Sequence, residues 1–241
     1  MITNNETNYV YFSSLLSTQS KYAGFWAKLE AALQKAGIAY GLIEGTRDIW
    51  CRDYMPVQVV TNDFVQFKFF PDYYLEPEEI HKLTIPYETK VDFQFNCRHS
   101  ELVIDGGNIV KSRNSAVLTE KIFTDNKQFS KEHILKTVRQ DLQVENIVIL
   151  PVQPFDFTGH ADGMVKFQNE KCLLVADYSN ESKSWKTRMD RALNKSGLEI
   201  RSFPSVQCDE KTDKGDYTAK GCYINFAQIG NKILLPQFGF P

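Results

Sequence analysis

The chain has 241 residues, of which 42% are hydrophobic and 24% charged, and this composition excludes a wholly disordered protein. Its length is enough to bury one large core, so we predict a single α/β domain over residues 1–241. Lys and Arg number 28 against 30 for Asp and Glu, which gives a formal net charge of -2 and excludes a general attraction to nucleic acid.

The predicted helices, in chain order, begin with an amphipathic helix over residues 21–36, which Gly37 can end. A short helix is predicted over Glu78–Leu83, and another begins after Ser130 as its N-cap. The apolar faces of the three longer helices are Tyr22, Phe25, Trp26, Leu29 and Leu33, then Ile134, Leu135, Val138 and Leu142, and last Trp185, Met189 and Leu193 before Gly197.

Short apolar runs beside these helices predict strands. They are Ile38–Ile43, Pro56–Val60, Phe64–Phe70, Ile147–Leu150, Leu173–Ala176, Leu198–Phe203 and Tyr223–Ile229. Helix starts recur roughly every 50 residues, which indicates a repeated ββαβ-like unit. The polar stretch Asp209–Asp216 is predicted to be a surface loop, and the chain ends on a strand and turn where this rhythm calls for another helix.

The cysteines and the N-terminus bear on the compartment. The five cysteines (Cys51, Cys97, Cys172, Cys208 and Cys222) are odd in number, and none forms a C-x-x-C pair, which indicates neither a disulfide framework nor a zinc site. No basic segment precedes an apolar run at the N-terminus, and no stretch approaches the roughly 18 apolar residues of a membrane span. We therefore predict a cytoplasmic protein with no membrane partner.

The first group of chemically capable residues lies in Asp48–Pro56, between two predicted strands. One interpretation is structural: Trp50 lies in the core and Arg52 pairs with a neighbouring aspartate at a strand end. The other is a cation site, since a carboxylate beside an aromatic face binds a planar guanidinium by paired hydrogen bonds and stacking. The local sequence leaves both open.

The second group is the Gly106-Gly107 pair, which interrupts an apolar strand between Asp105 and Asn108. A bulge or hairpin turn explains such a pair without any function. Alternatively, the glycines let the backbone approach a ligand closely at the strand end.

The third group is His160 and Asp162, which an extended backbone would place on one face just before a strand. An imidazole beside a carboxylate suits a general acid/base next to a substrate-holding group, although a lone loop histidine is commonly structural. A metal site of His160, Asp162 and Asp53 lacks a third nitrogen or sulfur ligand at suitable spacing.

Four motifs occur in the order seen in agmatine deiminases and Porphyromonas-type peptidylarginine deiminases. They are Asp48–Pro56, Gly106-Gly107-Asn108, Gly159-His160-Ala161-Asp162, and Tyr223-Ile224-Asn225-Phe226 running on to Leu234–Gly239. From Asp48 onward the chain therefore resembles this family of guanidine-modifying hydrolases. The resemblance implies the pentein fold, an α/β propeller of five ββαβ units with pseudo-fivefold symmetry, whose last unit would be incomplete in this chain.

The resemblance also implies roles for individual residues. Asp53 and Asp162 would hold the substrate guanidinium, and His160 would protonate the departing amine and later activate water. The residues that would line the pocket are Trp50, Arg52, Gly107, Asn108 and Asn225. The implied substrate is agmatine or an arginine derivative, and no metal or organic cofactor is required.

The family nucleophile is a cysteine near the end of the fifth unit, so we expect it beyond Pro241. Cys51, beside Arg52, is a weaker candidate. The alternatives are a peptidylarginine or free-arginine deiminase, another pentein chemistry such as amidino transfer, and a guanidinium-binding protein without catalysis. An incomplete last unit would expose apolar strand edges, which favours pairing into a homo-oligomer.

Overall fold

The computed structural model describes residues 1–92, 94–206, 208, 210–212, 215 and 217–240. By their contacts these residues form two compact units. The first unit consists of Ile2–Gly106 and Gln228–Ile233, and the second of Met1, Gly107–Ala227 and Leu234–Pro241. The prediction of a single domain over residues 1–241 stays a prediction.

The first unit begins with strand β1, two helices and a parallel partner strand. The bounds are Tyr9–Ser13 for β1, Leu15–Thr18 for α1, Ala23–Ala36 for α2 and Ala39–Ile43 for β2, which pairs with β1. The predicted helix over residues 21–36 is therefore confirmed in its main part, and Gly37 ends it with a φ of 59°. Trp26 and Leu33 are buried, whereas Phe25, predicted on the same face, is exposed.

The rest of the first unit carries a helical turn and a three-stranded sheet. The elements are α3 (Cys51–Tyr54), β3 (Val57–Val60), β4 (Asp63–Lys68) and β5 (Asn96–Val103). The sheet order is β3-β4-β5, with an antiparallel first pair and a parallel second pair. The helix predicted over Glu78–Leu83 is wrong, because only a 3-10 turn at Ile80–Lys82 forms. Ile80 is exposed, so no buried apolar face supports a longer helix there.

The second unit contains two three-stranded sheets with the same strand directions. The first has β6 (Val110–Lys111), β7 (Ser115–Thr119) and β8 (Asn146–Leu150), with α4 (Lys121–Asp125) and α5 (Lys131–Leu142) between its last two strands. The second has β9 (Val165–Asn169), β10 (Cys172–Ala176) and β11 (Glu199–Phe203), with α6 (Lys183–Lys195) before β11. In both sheets the first pair of strands is antiparallel and the second pair is parallel.

Local sequence explains these elements. Ser130 caps α5 by accepting the His133 N–H, and Ser182 caps α6 in the same way from Trp185. Every residue of β7 is buried, as expected of a central strand. Side chains from both sheets, from α6 and from the turn before β9 form a buried apolar cluster: Val110, Val117, Val148, Leu150, Ala161, Met164, Val165, Phe167, Leu173, Val175, Trp185, Met189 and Leu193.

The C-terminal part departs from the predicted strand Tyr223–Ile229. Only β12 (Ala227–Ile229) is a strand, and it pairs with β13 (Lys232–Leu234). Tyr223 and Ile224 lie in a turn instead, where the Tyr223 N–H donates to the carbonyl of Gly221. The loop predicted at Asp209–Asp216 falls partly outside the described residues. Within the described part of the chain, no helix has the length and apolar character to cross a membrane.

Candidate functional site

In the first unit the segment that carries Trp50, Arg52 and Asp53 is a helical turn. Helix α3 begins directly after Trp50, and Met55 returns to extended backbone because Pro56 disfavours a helical residue before it. No helical turn was predicted here from the sequence. The turn leaves Trp50 60% exposed and Arg52 exposed, and it half-buries Asp53.

Asp48 holds this turn in place. Its buried carboxylate accepts the Trp50 N–H at 2.8 Å and the Tyr74 hydroxyl at 2.7 Å, while its backbone carbonyl accepts the Tyr54 hydroxyl at 3.1 Å. Burial raises the pKa of Asp48, and the bonds from Tyr74 and Trp50 oppose that rise. Asp48 thus fixes the backbone that presents Trp50.

Two adjacent tyrosines bring further carboxylates into this group. The Tyr73 hydroxyl donates to Asp105 Oδ2 at 3.0 Å. Burial raises the pKa of Tyr73, and the negative charges of Asp105 and Asp53 raise it further. Asp53 therefore lies within electrostatic reach of Tyr73, in an acidic and aromatic environment that favours a bound cation. Sequence reasoning missed both tyrosines, since their partners are distant in sequence.

Gly106 is required by the close approach of the chain to itself. A Cβ atom at this position would lie 1.9 Å from the carbonyl oxygen of Arg52, which belongs to the same unit. The segment Gly106–Asn108 forms a 3-10 turn. At Gly106 the close approach is to the backbone of the Trp50–Asp53 turn, and the approach to a ligand stays a prediction.

In the second unit Gly107 contacts the motif that contains His160, whereas Asn108 contacts Thr119 at the end of β7. The Asp162 N–H donates to the carbonyl of Gly107 at 3.1 Å, and Asn108 Oδ1 accepts the Thr119 N–H at 2.8 Å. Asn108 is only 3% exposed. Its side-chain oxygen is already used within the fold, so any substrate contact would use its other atoms.

Asp162 lies in a turn and not in the extended backbone that was predicted, and His160 lies directly before this turn. The N–H groups of Met164 and Val165 both donate to the carbonyl of Ala161 at 3.0 Å, which closes this turn ahead of β9. His160 is 9% exposed and Asp162 is half-buried. A nearly buried imidazole thus lies two residues from a more accessible carboxylate.

Cys222 and Asn225 lie in the turn before β12. The Cys222 thiol donates to the carbonyl of Gly163 at 3.5 Å and accepts the Asn225 N–H. Burial raises the pKa of Cys222 to about 11, and the negative charge of Asp162 contributes to the rise. Cys222 is partly buried and Asn225 is exposed.

The other thiols near these motifs are also poor nucleophiles. Burial raises the pKa of Cys51 to about 12, and its thiol donates to the carbonyl of Tyr11 at 3.4 Å. Burial raises the pKa of Cys97 as well. An ordinary thiol titrates near 8.5. Cys51, Cys97 and Cys222 are therefore protonated at neutral pH and not prepared for attack.

The predicted site residues are divided between the two units and lie outside the surface cavity described below. Among the described residues, no group of three or more His, Cys, Asp or Glu side chains could hold a metal ion. A surface cavity of about 500 Å³ lined by Asn62, Gln94, Phe95 and Asn96 contains none of the predicted site residues. Trp50, Arg52 and Asp53 lie in the first unit, and Gly107, Asn108, His160, Asp162 and Asn225 lie in the second.

The fold is similar to that of solved guanidine-modifying enzymes. An agmatine deiminase from C. jejuni matches with a TM-score of 0.74 and 15% identity, covering 99% of this chain and 82% of that one. The agmatine deiminase of Enterococcus faecalis matches with a TM-score of 0.59 and 17% identity, covering 83% and 65%. DDAH from Pseudomonas aeruginosa matches with a TM-score of 0.52 and 12% identity, covering 95% and 84%. These likenesses show a mixed α/β fold of the pentein type.

The sequence itself decides the family. The model of the Porphyromonas-type peptidyl-arginine deiminase family matches residues 16–241. The chain belongs to this family. The resemblance predicted from the four motifs is therefore confirmed, and it places the chain among the hydrolases that modify guanidino groups. The comparison with curated proteins gave no match.

Proposed function

We propose that the protein converts the guanidino group of agmatine into a ureido group and releases ammonia, giving N-carbamoylputrescine, a precursor of putrescine. The observation that carries this proposal is the segment in which a nearly buried His160 precedes a half-buried Asp162, in a chain of this family. Burial limits water around the imidazole, while the carboxylate stays accessible to a cation.

The roles proposed in the second unit follow from these environments. Asp162 accepts two N–H groups of the planar guanidinium, a charge-assisted pair with defined geometry. His160 donates a proton to the departing nitrogen and then removes one from the attacking water. Gly107 holds the backbone of Asp162, and Asn108 and Asn225 complete the surroundings.

In the first unit we propose Asp53 as the second carboxylate for the guanidinium. Trp50 offers an exposed indole face for stacking, and Arg52 is the adjacent polar contact. The acidic environment around Tyr73 supports a cationic ligand.

The nucleophile proposed is a cysteine thiolate other than Cys51, Cys97 and Cys222, whose raised pKa values make them unsuitable. The thiolate forms a bond to the guanidinium carbon, and ammonia leaves with the proton from His160. Water then adds to the amidino-thioether and loses one proton to His160. Collapse of this adduct expels the thiolate, and the remaining hydroxyl proton passes to solvent, where ammonia accepts it, which leaves the neutral ureido product. A substrate-bound structure of a cysteine-to-serine variant of the C. jejuni agmatine deiminase supports a cysteine in this step.

The finer architecture is also proposed. Three sheets share one strand order, with an antiparallel pair followed by a parallel pair, as repeated ββαβ units require. We propose that these repeats belong to a single pentein domain with pseudo-fivefold symmetry.

The test is ammonia release by the full-length protein from agmatine, free arginine and a peptide with a C-terminal arginine. Turnover of agmatine with formation of a carbamoyl product is expected. Preference for the peptide would instead support a peptidylarginine deiminase, which the name of the matching family favours. Binding of agmatine without turnover of any of the three would leave a guanidinium-binding protein and contradict the proposal.

A further inference from the structure

The peptide group between Gly159 and His160 is held on both of its edges. Its carbonyl oxygen accepts the Thr119 hydroxyl at 2.6 Å, and its N–H donates to Asp156 Oδ2 at 3.1 Å. In a trans peptide these two atoms point in opposite directions. Two such bonds therefore resist rotation of the peptide plane, and the orientation of this plane directs the Cα–Cβ bond of His160.

Thr119 is a rigid support for this bond. It is the last residue of β7, and its exposed fraction is 0%. Its own N–H is fixed by Asn108 Oδ1 at 2.8 Å. A hydroxyl bond in such a buried environment is strong, and leaving the Gly159 carbonyl unpaired there would be costly. Asn108 thus acts on the His160 segment through Thr119.

Asp156 supports the other edge from within the same loop. Its Oδ1 accepts both the N–H of Thr158 at 2.9 Å and the Thr158 hydroxyl at 2.6 Å. This turn leaves Oδ2 aimed at the N–H of His160. One carboxylate therefore shapes the loop and holds the backbone of the histidine.

Gly159 adds a steric constraint. Its φ is 64°, in the left-handed region, and a Cβ atom there would lie 2.8 Å from Cδ of Lys121. The side chain of Lys121 is itself buried and pairs with Asp125 at 3.0 Å. Gly159 is thus packed against Lys121, and the peptide group that follows it is hydrogen-bonded at both its carbonyl and its N–H.

We propose that Thr119 and Asp156 are positioning residues that hold the imidazole of His160 in the orientation needed for proton transfer. Neither residue belongs to the four family motifs on which the proposed function was built. The kinetic part of this inference rests on that proposed function. The orientation of His160 is a structural claim and can be tested without turnover.

The kinetic test compares Thr119→Val, which keeps the shape but removes the hydroxyl, with Thr119→Ser, which restores it. In the valine variant kcat on agmatine should fall by about 10- to 100-fold, the cost of a small displacement of a catalytic group, while KM is unchanged. The serine variant should recover most of kcat. Thr187→Val is the matched control, because the Thr187 hydroxyl donates to the Lys183 carbonyl on the exposed face of α6.

The second test measures amide hydrogen exchange at His160 and the imidazole signals of His160 by NMR. Both Thr119→Val and Asp156→Ala should speed exchange at this amide and shift the ring signals, whereas Thr119→Ser and Thr187→Val should not. Asp156→Asn keeps one acceptor oxygen and should fall between.

The two readouts separate the possible failures. If the wild-type protein turns over no guanidino compound, the proposed function fails and the NMR data alone decide the positioning claim. Unchanged exchange and ring signals in Thr119→Val would overturn it. In an active protein, an unchanged kcat in Thr119→Val, or an equal loss in Thr119→Ser, would overturn it as well.

Discussion

The Trp50–Tyr54 turn of the first unit and the Gly159–Asp162 segment of the second unit hold their chemical groups differently. In the first, Asp48 fixes the backbone but Trp50 and Arg52 remain exposed and Asp53 half-buried. In the second, the Gly159 carbonyl and the N–H groups of His160 and Asp162 are hydrogen-bonded within the unit, and His160 is nearly buried. The first region is suited to capture a ligand, and the second to hold a catalytic group still. Changes in the first should therefore affect binding, and changes in the second should affect the chemical step.

The largest effect is expected from His160→Ala. Without the imidazole, general acid/base catalysis is lost, and kcat on agmatine should fall by about 10²- to 10⁴-fold. His133→Ala is the matched control, since His133 lies on the exposed face of α5. Ammonia release measures both. An equal loss in the two variants would remove His160 from the proposed mechanism.

A smaller effect, mainly on KM, is expected from Asp53→Asn. Loss of one charge-assisted contact should reduce kcat/KM by about 10- to 100-fold, mainly through a higher KM. Asp63→Asn is the control, because the Asp63 carboxylate forms an ion pair at 3.4 Å with the exposed side chain of Arg98. Steady-state kinetics on agmatine separate kcat from KM. A loss confined to kcat would contradict the expectation that changes in the first region affect binding and changes in the second affect the chemical step.

Gly106→Ala tests the close contact between Gly106 and the Arg52 carbonyl oxygen. The added Cβ would meet the Arg52 carbonyl oxygen at 1.9 Å, so the free energy of unfolding should fall by about 1–3 kcal/mol. The control is Gly24→Ala in α2, where no atom lies within 4 Å of the added carbon, and which should stabilise by up to about 1 kcal/mol. Urea unfolding measures both, and equal stability of the two variants would contradict the described backbone approach.

The smallest effect is a pH trend at Asp48. Burial raises its pKa, so the folded state holds the proton more tightly than the unfolded state does. The resulting stabilisation is fully present below the ordinary value of about 3.9 and is lost as the pH rises through the raised pKa. Asp48→Asn cannot lose a proton there. Its destabilisation, about 1–3 kcal/mol from a lost acceptor, should therefore be smaller at pH 7 than at pH 4 in urea unfolding. A destabilisation that grows with pH would contradict the raised pKa.

Sequence patterns predicted the secondary-structure elements that depend on interactions between residues close in sequence. The apolar spacing of Ile134, Val138 and Leu142 and the cap at Ser130 are enough to define α5, and the motifs were enough to identify the family. The turn at Cys51–Tyr54 was not predicted, because it depends on the distant Tyr74 as well as on Pro56.

The supports of His160 show the same limit. Thr119 is 40 residues from Gly159 along the chain, so no spacing rule connects them. The turn at Asp156 could have been predicted from the sequence, since an Asp two residues before a Thr is typical of a side-chain-capped turn. Short-range patterns thus find the catalytic candidates, while their supports require the fold.

The most direct test of guanidinium recognition is a calorimetric titration of the His160→Ala protein, in which turnover is suppressed. Agmatine is compared with a diamine of similar length that lacks the guanidino group. Saturable binding of agmatine alone, weakened by either Asp53→Asn or Asp162→Asn in the same background, is the predicted result. Equal affinity for the two ligands, or agmatine binding that neither aspartate substitution weakens, would contradict the account.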